Sequence, residues 1–199
     1  IGRLKVESAS DTARAINPDT HVNRHATRLT AHNAIELIEN YDIVLDGSDN
    51  FATRFLVNDA CFLTGRPLVS AAVGQFDGQL AVFKAHHRVE GKRVYPCYRC
   101  LFPEAPPAGS VPSCSEAGIL GALTGVLGSL QALEAIKEVV GIGESLAGRL
   151  LLYDGLGGTF RTVKVRPDHA CALCGPKATI GDLSHHEAPA EVCSAQPPP

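Results

Sequence analysis

Apolar residues recur along the chain at spacings that switch between helical and extended periods. Val6, Ala9, Ala13 and Ile16 share one helical face, so residues 3–16 are predicted as a helix ended by Asn17-Pro18. His21–Leu29 alternates loosely and reads as a short strand, and Asn33–Glu39 reads as a short helix. Ile43-Val44-Leu45 is a buried strand that runs into the polar stretch Asp46-Gly47-Ser48-Asp49-Asn50. A helix follows over 51–64, stopped by Gly65 and Pro67. Leu68–Val73 and Gln79–Ala85 read as buried strands on either side of the turn Asp77-Gly78.

The second half is dominated by one long helix, predicted over about 116–140 and preceded by the Ala/Pro/Gly loop Pro103–Pro112. Its uncharged part, Ala117–Leu133, falls at the lower limit for a membrane span and carries four glycines, so a helix buried on most sides of a soluble domain fits it better. Two final strands, Arg149–Asp154 and Thr159–Arg166, flank Gly155–Gly158 and read as a hairpin. The alternation of strands and helices predicts the α/β class: a Rossmann-like, mainly parallel sheet with flanking helices and a C-terminal antiparallel hairpin. Residues 1–183 form the domain, and 184–199, polar and Pro-ended, read as a disordered tail or linker.

Composition narrows the picture. At 199 residues, 45% hydrophobic, the chain suits one α/β domain and excludes wholesale disorder. A net charge of −3 with scattered Lys and Arg offers no footprint for nucleic acid or an anionic membrane. No signal peptide is evident, which makes the cytoplasm the expected compartment. Met is absent and the chain opens on Ile1, so it reads as a fragment.

Four of the seven cysteines form two C-x-x-C pairs, Cys97/Cys100 and Cys171/Cys174. Two such pairs supply the four thiolates of a closed, structural zinc site; independent redox pairs or inert core thiols are the alternatives. Cys114 stands apart in Ser113-Cys114-Ser115-Glu116, which has the form of a capping box. A thiol in a first helical turn is favoured as thiolate, so Cys114 is a candidate nucleophile. Asp49 and Asn50 lie where ligands sit in doubly wound sheets, with Arg54 one turn on. Asp49 suits a magnesium ion bridging phosphates, and simple helix capping would explain the same residues. Lys5, by pattern alone, is an exposed lysine. No G-x-G-x-x-G is present, and His86-His87 and His185-His186 read as solvated.

Together these elements resemble the ThiF/MoeB/HesA family, relatives of ubiquitin-activating enzymes. The resemblance rests on Gly2-Arg3-x-Lys5, Asp46-x-x-Asp49-Asn50-x-x-x-Arg54, Pro96-Cys97-Tyr98-Arg99-Cys100, Cys114-x-Glu116-Ala117-Gly118, Gly128-Ser129-Leu130-Gln131-Ala132-x-Glu134 and Cys171-x-x-Cys174-Gly175. It covers residues 1 to about 175, in family order. The family implies ATP-dependent adenylation of a ubiquitin-like sulfur-carrier protein, followed by sulfur transfer from a persulfide donor. By that pattern Lys5, Asp49, Asn50 and Arg54 serve ATP and magnesium, Asp49 and Cys114 are catalytic, and Cys97, Cys100, Cys171 and Cys174 hold zinc. A homodimer is expected.

The family's Gly-rich phosphate loop, acidic ribose residue and basic motif would all precede Ile1. Residues 1–183 therefore read as an incomplete adenylation domain, inactive alone. Within the family the MoeB-like branch, acting on the small subunit of molybdopterin synthase, is preferred to the ThiF branch of thiazole synthesis. A non-catalytic zinc module that binds a ubiquitin-like protein, and a dehydrogenase, are the readings from other classes.

Overall fold

The computed structural model describes residues 2–107, 110 and 117–187. Helix α1 (Lys5–Ile16) and α2 (Ala34–Ile38) precede β1 (Val44–Asp46), α3 (Phe51–Thr64), β2 (Leu68–Val73) and β3 (Asp77–Phe83). The ribbon β4 (Arg88–Val89) and β5 (Lys92–Arg93) leads to the short helix α4 (Tyr98–Leu101). The long helix α5 (Gly121–Val140), β6 (Arg149–Asp154), β7 (Thr159–Lys164) and a 3-10 turn (Ser184–His186) complete the chain.

The main sheet has the order β1-β2-β3-β6-β7. β1 pairs with β2 in parallel, and the other three pairings are antiparallel, so parallel character is confined here to the β1–β2 step. The α/β layering, the flanking helices and the hairpin appear as the sequence predicts. Alternating side chains of β2 and β3 feed two separate cores. Leu68, Ala81 and Phe83 join Phe55, Leu56 and Ala60 of α3, while Val69, Ala71, Leu80 and Val82 join Leu123 and Leu127 of α5. A Cβ on Gly78 would come within 2.6 Å of Leu127, so the absence of a side chain there lets α5 lie close on β3.

Three expectations change. His21–Leu29 forms no strand: its residues are largely exposed and none of them pairs with a strand of either sheet. The long helix begins at Gly121 with Leu120 as N-cap, and the capping box expected at Ser113 falls outside the described residues. Residues 111–116, and Cys114 with them, lie outside the described residues. Nor is α5 buried on most sides. Leu123, Leu127, Gln131 and Glu134 form its one buried stripe against β2 and β3, and Leu133, Ile136, Val139 and Val140 are exposed. Among the described residues no helix is long and apolar enough to cross a membrane.

Candidate functional site

The polar stretch after β1 is fixed from three directions. The Asp46 carboxylate accepts from the Ser48 amide at 2.9 Å and from the Ser70 hydroxyl at 3.4 Å. Gln131 of α5 reaches under the strands, and its Nε2 donates to the carbonyls of Asp46 and Val69, each at 2.9 Å. Arg54 donates Nε and Nη2 to the Ser48 carbonyl at 3.1 and 2.8 Å. Asn50 is the N-cap of α3, its Oδ1 accepting from the Thr53 amide at 2.8 Å, and its Nδ2 donates to Asp49 at 3.3 Å.

Asp49, Asn50 and Arg54 line one wall of a cavity of about 370 Å³. Ala72–Gln75 at the end of β2, Gln79 of β3 and Ala117–Ile119 close it. The cavity lies beyond the carboxyl end of β1, where open α/β sheets take ligands. It joins three of the four residues expected at the nucleotide. Lys5 is not among the lining residues: it opens α1, exposed. A larger, open groove of about 960 Å³ lies between α2, the end of α3 and residues 181–187, and gathers none of the expected site residues.

The four paired cysteines meet in one cluster. Sγ–Sγ distances are 3.8 Å for Cys97–Cys100, 3.6 Å for Cys97–Cys171 and 3.3 Å for Cys100–Cys174, and all four sulfurs lie within 4.8 Å of one another. A tetrahedral ion with bonds of about 2.3 Å sets its sulfurs about 3.8 Å apart, so the donor set fits one metal. Buried Leu173 and Ala85 pack around the cluster, and the Cys174 amide donates to the Cys171 sulfur at 3.4 Å. Gly175 sits so close to the loop that a Cβ would meet the Cys171 carbonyl at 2.5 Å. Hydrogen bonding to Cys100 holds the Cys171 thiol below the ordinary range and pushes Cys97 and Cys174 above it. Cys61, outside the cluster, is pushed up by burial and stays a core thiol.

A third arrangement links the other two. Asp59, fully buried on α3, receives Arg99 Nε on one carboxylate oxygen at 2.8 Å and Nη2 on the other at 2.6 Å. His185 and His186 each point Nε2 at Asp59 Oδ2, at 3.0 and 2.8 Å. Burial alone would raise this carboxyl, but hydrogen bonds from His186 and Arg99 outweigh it and hold Asp59 at about 2. Both histidines are thus tied to Asp59, which draws the 3-10 turn down onto α3: His185 stays exposed as expected, whereas His186 is largely covered. Their ligand atoms and the carboxylate lie close enough to hold an ion. The Arg99 guanidinium, 3.2 Å from His185 Nε2, already supplies the cation there.

The chain is thus an α/β protein with a ligand-sized cavity beyond β1 and a four-cysteine cluster that fits one metal. Residues 1–173 match the model of the ThiF family, and the chain belongs to that family. It is 50% identical over 188 residues to the sulfur carrier protein adenylyltransferase of Thermus thermophilus, covering 94% of this chain and 69% of that protein. It is 49% identical to the bovine adenylyltransferase and sulfurtransferase MOCS3, covering 94% of this chain and 40% of that protein. Crystalline E. coli MccB has the same fold, with a TM-score of 0.70 at 16% identity over 89% of this chain and 52% of that one.

Asp59, Arg99, Gln131 and the histidine pair are the positions to which sequence reasoning gave no role. The signal for one was present: Asn58-Asp59 are polar neighbours inside the otherwise apolar run 55–63.

Proposed function

We propose that the intact protein adenylates the C-terminal glycine of a ubiquitin-like sulfur carrier. The observation that carries this reading is the cavity walled by Asp49, Asn50 and Arg54, in a ThiF-family chain half identical to a sulfur carrier protein adenylyltransferase. A carboxylate oxygen of the carrier attacks the α-phosphorus of ATP, and the bond to pyrophosphate breaks to leave an acyl adenylate. Such a step is catalysed by positioning and charge neutralisation. Asp49 supplies hard oxygens for magnesium, and the Asn50 amide and Arg54 guanidinium supply donors to the phosphates. Lys5 joins them by family pattern alone.

Zinc is the metal that suits four thiolates, and its role here is to fold the chain. Cys114 is proposed as a covalent station for the carrier after activation, with a persulfide donor supplying sulfur in a later step. The small subunit of molybdopterin synthase is the favoured carrier, and the working form is a homodimer.

The deciding experiment is carrier-dependent exchange of labelled pyrophosphate into ATP by the full reading frame. Asp49→Ala is expected to abolish exchange, with zinc content and stability unchanged. Wild-type exchange in that variant would reduce Asp49 to a structural residue.

A further inference from the structure

We propose that Arg99 and Asp59 are positioning residues for the nucleotide cavity, transmitting the placement of the first cysteine pair along α3 to Asn50 and Arg54; this rests on the adenylation reading above. Tyr98 and Arg99 are the two residues between Cys97 and Cys100. Both grip α3. The Tyr98 amide donates to Asn58 Oδ1 at 2.7 Å, and Arg99 closes its two-pronged pair on Asp59. The Tyr98 ring stands edge-on to Phe55 at 5.2 Å, and the Arg99 guanidinium lies over the same Phe55 ring at 4.7 Å. Every one of these α3 contacts falls at residues 55, 58 and 59.

One turn back along the same helix sits Arg54, which holds the Ser48 carbonyl, and at the helix start Asn50 caps the chain beside Asp49. Residues 54 and 58 share a face, so a shift or rotation of α3 at its middle displaces the wall of the cavity. A closed metal site fixes the backbone of Cys97–Cys100, and the guanidinium fork converts that fixed backbone into a fixed register for α3. A buried ion pair adds little net stability over apolar packing, whereas its geometry is specific. The pair is therefore read as a locator for the helix.

The test has two arms, on protein of the full reading frame carrying zinc. Hydrogen exchange is followed at the Thr53 and Arg54 amides, which the Asn50 cap protects, before and after chelation, with β2 and β3 amides as the internal control. Chelation is expected to expose Thr53 and Arg54 while β2 and β3 stay protected. In the kinetic arm, Arg99→Ala with one zinc per chain should raise the ATP KM for pyrophosphate exchange about tenfold with kcat within about twofold, and Arg99→Lys should recover part of it. Unchanged protection at Thr53 and Arg54 on metal loss, or an unchanged ATP KM in zinc-loaded Arg99→Ala, overturns the proposal. Absence of exchange in the wild type would overturn the adenylation reading instead, and the protection arm then decides the coupling by itself.

Discussion

At the scale of single residues, the buried carboxylate of Asp59 has a measurable consequence. Its native value of about 2 lies below the ordinary 3.8, so its partners stabilise the fold fully at pH above the unfolded value. That contribution, on the order of 2 kcal/mol, fades as pH falls from about 4 through about 2. Acid unfolding followed by circular dichroism should show it. Asp59→Asn is expected to be less stable than wild type at pH 7, with the gap closing toward pH 2. A gap that persists undiminished at low pH would assign the loss to packing and not to charge. Residues of this kind are hard to read from sequence. Asp49, Asn50 and Arg54 follow a buried strand and so announce themselves, whereas Arg99 and His186 find Asp59 only through the tertiary fold.

At the scale of elements, local signals were strong wherever period and punctuation agreed. α3, β2 and β6 have the limits the pattern predicts, because Asn50 caps, Gly65 stops and the apolar runs are uninterrupted. The expected strand at 21–29 fails since loose alternation without a partner strand cannot satisfy its backbone. α4 was missed because four residues are too few for a periodic signal; the cluster of thiols and Asn58 hold it in shape. The two knuckles depend on each other in the same way. Cys171→Ser should remove the metal and unfold the segment after β7, since binding and folding free energy are linked. Metal analysis alongside thermal unfolding checks this, and zinc retained at one per chain would refute the four-thiolate site.

At the scale of the whole molecule, the chain spans about two-fifths of the bovine relative and about two-thirds of the Thermus one. The apolar residues along the outer side of α5, which the sequence led us to expect inside, are open in this chain. In the proposed sequence of steps Cys114 meets the carrier only after activation, so Cys114→Ala in the full protein should leave pyrophosphate exchange nearly intact. Thiocarboxylate formation, or a reducible enzyme–carrier adduct seen by mass spectrometry, should be lost. Collapse of exchange in that variant would place Cys114 within the adenylation step.

The cysteine cluster joins residues 97 and 100 to residues 171 and 174, and α5, β6 and β7 all lie between them. With a metal in place, everything from α5 to β7 is a closed ring hung on one ion. A single backbone cut anywhere in that ring leaves both ends tethered through the thiolates. The nicked halves then stay joined through the ion as well as through the β3–β6 pairing, and a chelator removes the first of these ties.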